Sequence, residues 1–388
     1  MSKKQKSRTA LLSNKKQTNN NQMKKIVCFH LFNDYSGSPK VLKTIIEGLL
    51  NNGHCIDLVT SRGGVLDELQ DSKGLKFRQY QYTFARNKFI RLQRYAWVQL
   101  HTFFTALGYV FKKETVIYIN TVLPIGAALG GKLAGKRVVY HYHENAKAKG
   151  ISYRILSRLM QLIASEIICV SHYQRAFVRR KNGVVVIPNA LRDDFAAEVH
   201  PCAEKSFEQQ RVLMLGSLKR YKGTREFIDL ATAMQQFSFE LVLNDTKENI
   251  DNYVSGSNIT LPGNLTIHPR QKDVTKFYDR ASLVVNLSNR NLFIETFGLT
   301  ALEAMTAGLP VIVPTVGGIA EMVTDGVNGY KIDVQNLKEI EETVKSVLTN
   351  KELYLSLANN SLDSSKKYGT AHLIDSIEKI LCSGCTSK

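Results

Sequence analysis

Short runs of aliphatic and β-branched residues alternate along this chain with longer segments whose apolar positions recur every three or four residues. The first half predicts strands at 26–29, 55–60, 76–80, 116–119, 137–141, 166–170 and 184–187. Helices are predicted between them at 39–51, 66–70, across the long region 86–112, and at 123–134, 151–164 and 173–180. Strands that alternate with helices in this way form parallel sheet covered on both faces, a doubly wound α/β unit. Pro188-Asn189-Ala190 closes that unit, and the less patterned stretch 193–209 reads as a linker. The alternation then restarts, with strands at 211–215, 239–243, 265–268, 283–287 and 311–314 and helices at 223–236, 248–254, 273–280 and 299–307.

The densest chemistry lies in residues 294–330. Glu295 precedes Thr296, Phe297 and Gly298, and the helix from Leu299 to Ala307 is stopped by Gly308 and Pro310. A glycine at a helix start lets the backbone approach a ligand, and the first amides, without intrahelical partners at the positive end of the dipole, suit a phosphate. Glu303 follows in the next turn, where an acceptor-only carboxylate fits two vicinal ribose hydroxyls. Ala301, Ala304 and Ala307 keep one flank of the helix small. Gly317 and Gly318 open a second loop-to-helix junction, so two glycine-lined helix starts are expected to face one ligand. A glycosidase pair is disfavoured: eight helical residues rise about 12 Å, whereas hydrolase carboxylates lie roughly 5 to 9.5 Å apart. The plain alternative is a helix–turn–strand unit whose glutamates are solvated.

Glu295 and Glu303, with Phe297-Gly298-Leu299 between them and Gly308-Leu-Pro-Val-Ile312 and Gly317-Gly-Ile-Ala-Glu321 following, resemble the donor-binding signature of the retaining glycosyltransferases of family 4, the group 1 glycosyl transferases. The resemblance implies a GT-B fold, two Rossmann-like doubly wound parallel-sheet domains facing a cleft. Residues 1–22 would then be a basic tail, 23–200 the acceptor-side domain, 201–369 the nucleotide-sugar domain, and 370–388 would carry a helix crossing back to the first. It further implies that Glu295 holds sugar hydroxyls, that Glu303 holds the ribose, and that Phe297, Gly298 and Leu299 line the donor between them.

Other family positions are matched less evenly. After the strand at 211–215 the family carries Gly-Arg-Leu and then Lys-Gly, whose cations neutralise the donor diphosphate. Here Gly216 and Lys222 are present, Ser217 occupies the arginine position, and Arg220 is the candidate substitute. His143, in His141-Tyr-His143-Glu144 beyond the strand at 137–141, aligns with the histidine that faces the donor sugar. No third ligand at metal-site spacing accompanies that cluster, and the chain has no Asp-x-Asp pair, so no metal and no cofactor beyond the donor are expected. Gly37 and Ser38 fall in the loop 35–39, where the family has an acceptor or phosphate loop. Pro269 and Arg270, with Asn244-Asp245, end strands where the family contacts the base.

Charge changes the picture of partners. The net charge is +18, and it is uneven: residues 1–25 hold 8 Lys and Arg and no acid, 26–200 hold 24 against 12, and 201–388 hold 20 against 22. A basic first half attracts nucleic acid or anionic lipid. No nucleic-acid motif is present, so an anionic membrane surface is expected and nucleic acid is not. Residues 1–22 have too few apolar positions to offset ordering entropy and are expected to be disordered. The segment from Arg86 to Trp97 interleaves basic and apolar residues. Its apolar stripe is expected to face its own sheet, with the basic side left to attract lipid. The most apolar stretch, 115–131, contains Asn120 and Pro124 and reads as strand and helix, not a membrane span. Of the six scattered cysteines several, such as Cys28 and Cys169, lie in strand-like runs where they read as small core residues, and Cys382-Ser-Gly-Cys385 lies outside a redox-motif context.

The combined expectation is a retaining, metal-independent hexosyl- or glycosyltransferase, cytoplasmic and peripheral on the inner face of the membrane. Its partners are a nucleotide sugar and a glycan or lipid-linked acceptor in cell-surface polysaccharide or lipopolysaccharide biosynthesis. The alternatives are a non-catalytic GT-B module that binds nucleotide or glycan, and a sugar-nucleotide epimerase or phosphorylase.

Overall fold

A computed structural model of the 388-residue chain describes residues 24–83, 85, 87–257 and 259–383. The basic tail, Arg86 and Cys385 lie outside the described residues. The first lobe runs β1 Lys25–His30, α1 Gly37–Asn51, β2 Cys55–Ser61, a 3₁₀ turn Val65–Leu69, β3 Leu75–Tyr80, α2 Lys88–Leu107, β4 Thr115–Asn120, α3 Ile125–Leu133, β5 Arg137–Tyr142, α4 Ile151–Ile163, β6 Glu166–Cys169, α5 His172–Arg175 and β7 Val184–Val186. Its seven strands are parallel in the order β3-β2-β1-β4-β5-β6-β7. All six residues of β4 are buried, as continuous apolar strands must be when both faces are covered. Side chains alternate across the sheet. Val27, Phe29, Ile117 and Tyr140 join α2, α3 and α4 on one face, and Ile26, Cys28, Leu58 and Tyr118 join α1 on the other.

The linker expected over 193–209 contains two short helices, α6 Asp193–Glu198 and α7 Ala203–Glu208. Six residues are too few for an apolar period to register, and α6 buries none of its own. The second lobe follows with β8 Arg211–Gly216, a 3₁₀ turn Arg220–Lys222, α8 Thr224–Ala233, β9 Ser238–Leu243, α9 Lys247–Gly256, β10 Leu265–His268, α10 Thr275–Tyr278, β11 Leu283–Val285, α11 Leu299–Thr306, β12 Val311–Val313, a 3₁₀ turn Gly318–Met322 and β13 Gly329–Lys331. Helices α12 Leu337–Thr349, α13 Lys351–Ser365 and α14 Thr370–Cys382 complete it. Its six parallel strands are ordered β10-β9-β8-β11-β12-β13. Helices α5 and α10 are single turns where longer helices are expected; the chain leaves each through i to i+3 bonds, such as Val178 N to Arg175 O and Ala281 N to Tyr278 O.

The last helix returns to the first lobe. Leu373, Ile374, Ile377 and Leu381 of α14 enter the α1 core, and a Cβ on Gly48 would lie 2.6 Å from Ile374, so α1 and α14 cross where only glycine fits. Glu378 accepts from Asn52 Nδ2 (2.6 Å) and His54 Nε2 (2.9 Å), and Arg137 donates to the Ile380 carbonyl (2.8 Å). Cys382 stands near His54 and Glu378. His54 Nδ1 accepts from the Lys24 amide (3.3 Å), which leaves its proton on Nε2 for Glu378.

Each sheet reverses its winding once, between β1 and β4 and between β8 and β11. The crevices outside the carboxyl ends at those two reversals are where open α/β sheets take ligands. Here residues from the carboxyl ends of both sheets line one cavity between the lobes.

Candidate active site

That cavity, of about 300 Å³, is walled by Gly37, Ser38, His143, Glu144, Lys149 and Asn189 from the first lobe. Lys222, Asn286 and the run from Glu295 to Thr300 close it from the second. The acidic run is not helical until Leu299. Gly298 sits at φ 117°, and a Cβ there would lie 2.5 Å from Ile319, so backbone conformation and space both demand glycine. Ala301 and Leu302 donate the first intrahelical bonds, to the Gly298 carbonyl, leaving the Leu299 and Thr300 amides outside the helical ladder on the cavity wall. Ala301, Ala304 and Ala307 are buried beneath them.

The second glycine pair does something different from facing a ligand. Cβ atoms on Gly317 and Gly318 would lie 2.5 Å from the Glu295 carbonyl and 1.9 Å from that of Thr296, and the Gly318 amide donates to Glu295 O (2.9 Å). These glycines let the following turn lie directly against the acidic loop and hold it in place. Of these two glycine-led starts, the one at Gly298 reaches the cavity wall and the one at Gly317 does not.

Lys222 is delivered by the 3₁₀ turn after β8, and Gly223 behind it is left-handed (φ 76°), its Cβ position 2.2 Å from Leu287 O. The Lys222 ammonium pairs with Glu295 Oε1, which also accepts from Ser288 Oγ (3.0 Å). Burial pushes the Glu295 carboxyl up, but Lys222 and the hydrogen bonds outweigh it and hold it below the ordinary range. Burial likewise lowers Lys222, and Glu295 reverses this and raises it. Both are ionised at neutral pH.

His143 faces this pair from beyond β5. Its Nε2 lies 2.8 Å from Asn120 Oδ1, and Asn120 Nδ2 is 3.0 Å from His30 Nδ1, so the His143 proton sits on Nε2. The His141 ring lies 4.1 Å away. Burial lowers His143 well below its usual value, with the positive potential of neighbouring groups adding to it, and burial takes His30 to about 4 and His141 to about 3. All three rings are neutral at physiological pH. Glu144 turns its carboxylate to the Val122 amide (3.2 Å) and His141 bonds Tyr118 (2.7 Å), so the cluster does not converge on an ion. Hydrogen bonds stitch the lobes beside the site: Thr296 Oγ1 to His143 O (2.7 Å), Asn145 Nδ2 to Ile294 O (3.3 Å) and the His172 amide to Glu321 (3.0 Å).

Other expected residues are placed differently. Gly37 and Ser38 reach the cavity as the opening turn of α1, not as a loop, with Gly37 close enough for its Cβ position to lie 3.2 Å from Leu299 across the cleft. Glu303 is off the wall; its Oε2 accepts from Tyr278 OH (2.6 Å), and burial raises its carboxyl against the pull of Lys40 on α1. Gly216 ends β8, and the Ser217 carbonyl accepts from Thr224 Oγ1 (3.1 Å). Arg220 is exposed at the start of its turn and is not among the residues of the cavity wall. Arg270 is fixed by Asn244 Oδ1 (2.7 Å) with its guanidinium 5.6 Å from the Tyr35 ring of the first lobe. Pro269 lines a separate hollow of about 370 Å³ beside α9.

The Glycosyl transferases group 1 family matches residues 195–363, and Glycosyltransferase Family 4 matches residues 35–195, one to each lobe. This chain is a group 1 glycosyl transferase of family 4. An uncharacterized glycosyltransferase of Methanocaldococcus jannaschii is 26% identical over 264 residues, 66% of this transferase and 71% of that protein. The D-inositol 3-phosphate glycosyltransferase of Mycolicibacterium smegmatis is 32% identical over 107 residues, 28% of this chain and 23% of that one. Among solved structures, Anabaena HepE in complex with UDP and glucose superposes with a TM-score of 0.75 at 20% identity, covering 93% of this chain and all of that one. WaaG, a glycosyltransferase involved in lipopolysaccharide biosynthesis, gives 0.67 at 19% identity, covering 93% and 100%. At these identities the likeness is one of fold, and it is the GT-B fold.

The wall of the transferase's cavity also holds Glu144, which the sequence raised only as a metal ligand, and Lys149, Asn189, Asn286, Thr296 and Thr300, to which it gave no role. Asn286 directly follows β11 and Asn189 comes shortly after β7, at the carboxyl ends of parallel strands, a position that marks ligand contact without any motif. Lys149, whose ammonium lies 4.8 Å from the Tyr153 ring, carries no such signal.

Proposed function

We propose that this transferase is a retaining enzyme that takes a sugar from a nucleotide-diphosphate sugar on the second lobe to a glycan or lipid-linked acceptor on the first. The observation that carries the proposal is the convergence of Lys222, Glu295, the Gly298 helix start and His143 on one cavity between the lobes. Lys222 and the amides of Leu299 and Thr300 receive the diphosphate. Lys222 then leaves its pairing with Glu295, whose freed carboxylate accepts from sugar hydroxyls. Glu303, one turn further on the same helix, is the proposed acceptor for the ribose hydroxyls. Neutral His143, its proton held on Nε2 by Asn120, presents Nδ1 as an acceptor near the sugar.

The bond from the anomeric carbon to the leaving phosphate oxygen breaks as the acceptor oxygen bonds the same face. The acceptor proton passes to that phosphate oxygen, and nucleoside diphosphate leaves. Lys222 and the helix amides balance its charge, so no metal is required. The UDP of the HepE complex and the lipopolysaccharide biosynthesis that WaaG takes part in make a uridine donor and surface-polysaccharide or lipopolysaccharide assembly the reading to test first.

The test is turnover of the full chain against nucleotide sugars, UDP-sugars first, reading released nucleoside diphosphate and the product's anomeric configuration by NMR, with and without EDTA. Retention of configuration and EDTA-insensitive turnover are expected. An inverted product would overturn the retaining assignment, and donor binding without transfer or hydrolysis would return the non-catalytic reading.

A further inference from the structure

Apart from Tyr95, which packs on the core, α2 turns its largest exposed apolar side chains away from the sheet. Val98, Thr102 and Ala106 fill that side, while Phe89, Trp97, Leu100 and Phe104 are exposed, Trp97 at 66%. At 100° per residue these four fall within an arc of about 80° opposite the buried set. Helix α4 repeats the arrangement: Met160 and Ile163 point inward, and Ile151, Ile155, Leu159 and Leu162 form an outward stripe, Leu162 at 80% exposure. Between them α3 exposes Leu129 and Leu133. Glycines hold α2 and α3 at backbone contact, since Cβ atoms on Gly126 and Gly130 would lie 2.1 Å from Gln99 O and 2.2 Å from Phe103 O. Three adjacent helices thus turn apolar stripes outward from one rigid face.

The charge around the stripes has one sign. Residues 72–165 contain sixteen Lys and Arg against two acids, Glu114 and Glu144, and Glu144 is buried. Arg154 and Arg158 border the α4 stripe, Lys132 lies beside Leu133, and Lys112 and Lys113 follow Phe111, which is 92% exposed. A soluble surface rarely leaves so large an apolar patch uncovered. A second copy of the same face would bring like charges together. A surface with a deep apolar layer under continuous negative charge complements both features.

We propose that the outer face of α2, α3 and α4 docks on an anionic lipid bilayer. Its α4 edge begins at Ile151, two residues after Lys149 on the cavity wall, so a docked first lobe holds the mouth of the cleft beside the headgroups. The surface deepens the membrane side of the function proposed above and rests on that reading only for what it delivers, a lipid-linked acceptor. None of the described helices is long and apolar enough to cross a membrane, so the contact is with one leaflet.

Trp97 is the chain's single tryptophan, so its fluorescence reports this face alone. The experiment mixes the full chain with vesicles of phosphatidylglycerol and phosphatidylcholine, or phosphatidylcholine only, and reads flotation, Trp97 emission and quenching by brominated lipid. The expected result is a blue shift and quenching with anionic vesicles, weakened by salt and absent with neutral ones. Phe104→Ser, Ile151→Ser and Leu162→Ser should each lower partitioning about tenfold. Their melting temperatures and turnover on a soluble acceptor should match the wild type, separating this outcome from failure of the transferase reading. Flotation without a Trp97 shift would place binding elsewhere and overturn the proposal, as would variants that bind like the wild type. A vesicle-independent Trp97 shift that grows with protein concentration would assign the face to self-association and likewise overturn it.

Discussion

Replacing Lys222 with methionine removes the cation that keeps Glu295 ionised and leaves a carboxylate among Ser288 and the cleft backbone. The two side chains are 26% and 14% exposed. Breaking a fully buried ion pair costs about 3–5 kcal/mol, and exposed pairs contribute about 0–1 kcal/mol. This half-buried pair belongs between them, so Lys222→Met should cost about 2 kcal/mol, or about 5 °C in melting temperature for a lobe of this size. The pH dependence has a definite sign. In the wild type the Glu295 carboxyl is depressed, so its contribution is present above the ordinary carboxylate range and is lost only as pH falls through the depressed value. In Lys222→Met, burial is opposed only by the Ser288 hydrogen bond and Lys219 and raises the carboxyl, so the penalty is full at neutral pH and fades on acidification. Lys222→Met/Glu295→Gln removes both charges and should melt within a degree or two of the wild type, while single and double variants alike lose about 10²–10³ in turnover. Calorimetric melting from pH 4 to 8, alongside donor turnover, reads both. A double variant no more stable than the single, or Lys222→Met turning over at the wild-type rate, would refute the reasoning.

Two further outcomes follow from the buried polar groups. Asn120→Asp keeps an acceptor for His143 but adds a charge that favours the imidazolium, so turnover should fall below about pH 7, where the wild type stays flat, with donor KM unchanged. Identical pH profiles would leave Asn120 a purely structural residue. His30, His141 and His143 are held neutral in the fold but protonate near 6.5 when unfolded, so unfolding takes up protons below that pH. With all three depressed, stability is full above 6.5 and is lost as pH falls toward 4, at about 4 kcal/mol per pH unit near pH 5. A melting temperature unchanged between pH 7 and 5 would contradict this.

The alternation of strands and helices was legible because burial on both faces writes itself into a continuous apolar run. The helix start at Gly298 on the cavity wall was legible because Gly298 must adopt a left-handed conformation against Ile319, and such needs leave glycine at a fixed place. Pairings across the fold leave no such mark: nothing near Lys222 announces Glu295, and nothing near His143 announces Thr296. Periodicity showed that α2 has an apolar stripe but not which way it points. The sheet-facing side is made of Val98, Thr102 and Ala106 with Tyr95 packed among them, a set of modest apolar weight, and the exposed large apolar residues were assigned inward by default. Helix α12 carries Ile340, Val344, Val347 and Leu348 at helical spacing and was open to the same reading, whereas the three residues of β13 were not.

The return of α14 has a consequence for anyone exchanging parts of this enzyme with a relative. The helix is covalently continuous with the second lobe, yet its Leu373, Ile374, Ile377 and Leu381 complete the core beneath α1. A hybrid joined once, in the connection around α6 and α7, would graft a foreign helix into that core. A workable hybrid needs two junctions, the second between α13 and α14, so that the first lobe keeps the helix fitted to Gly48.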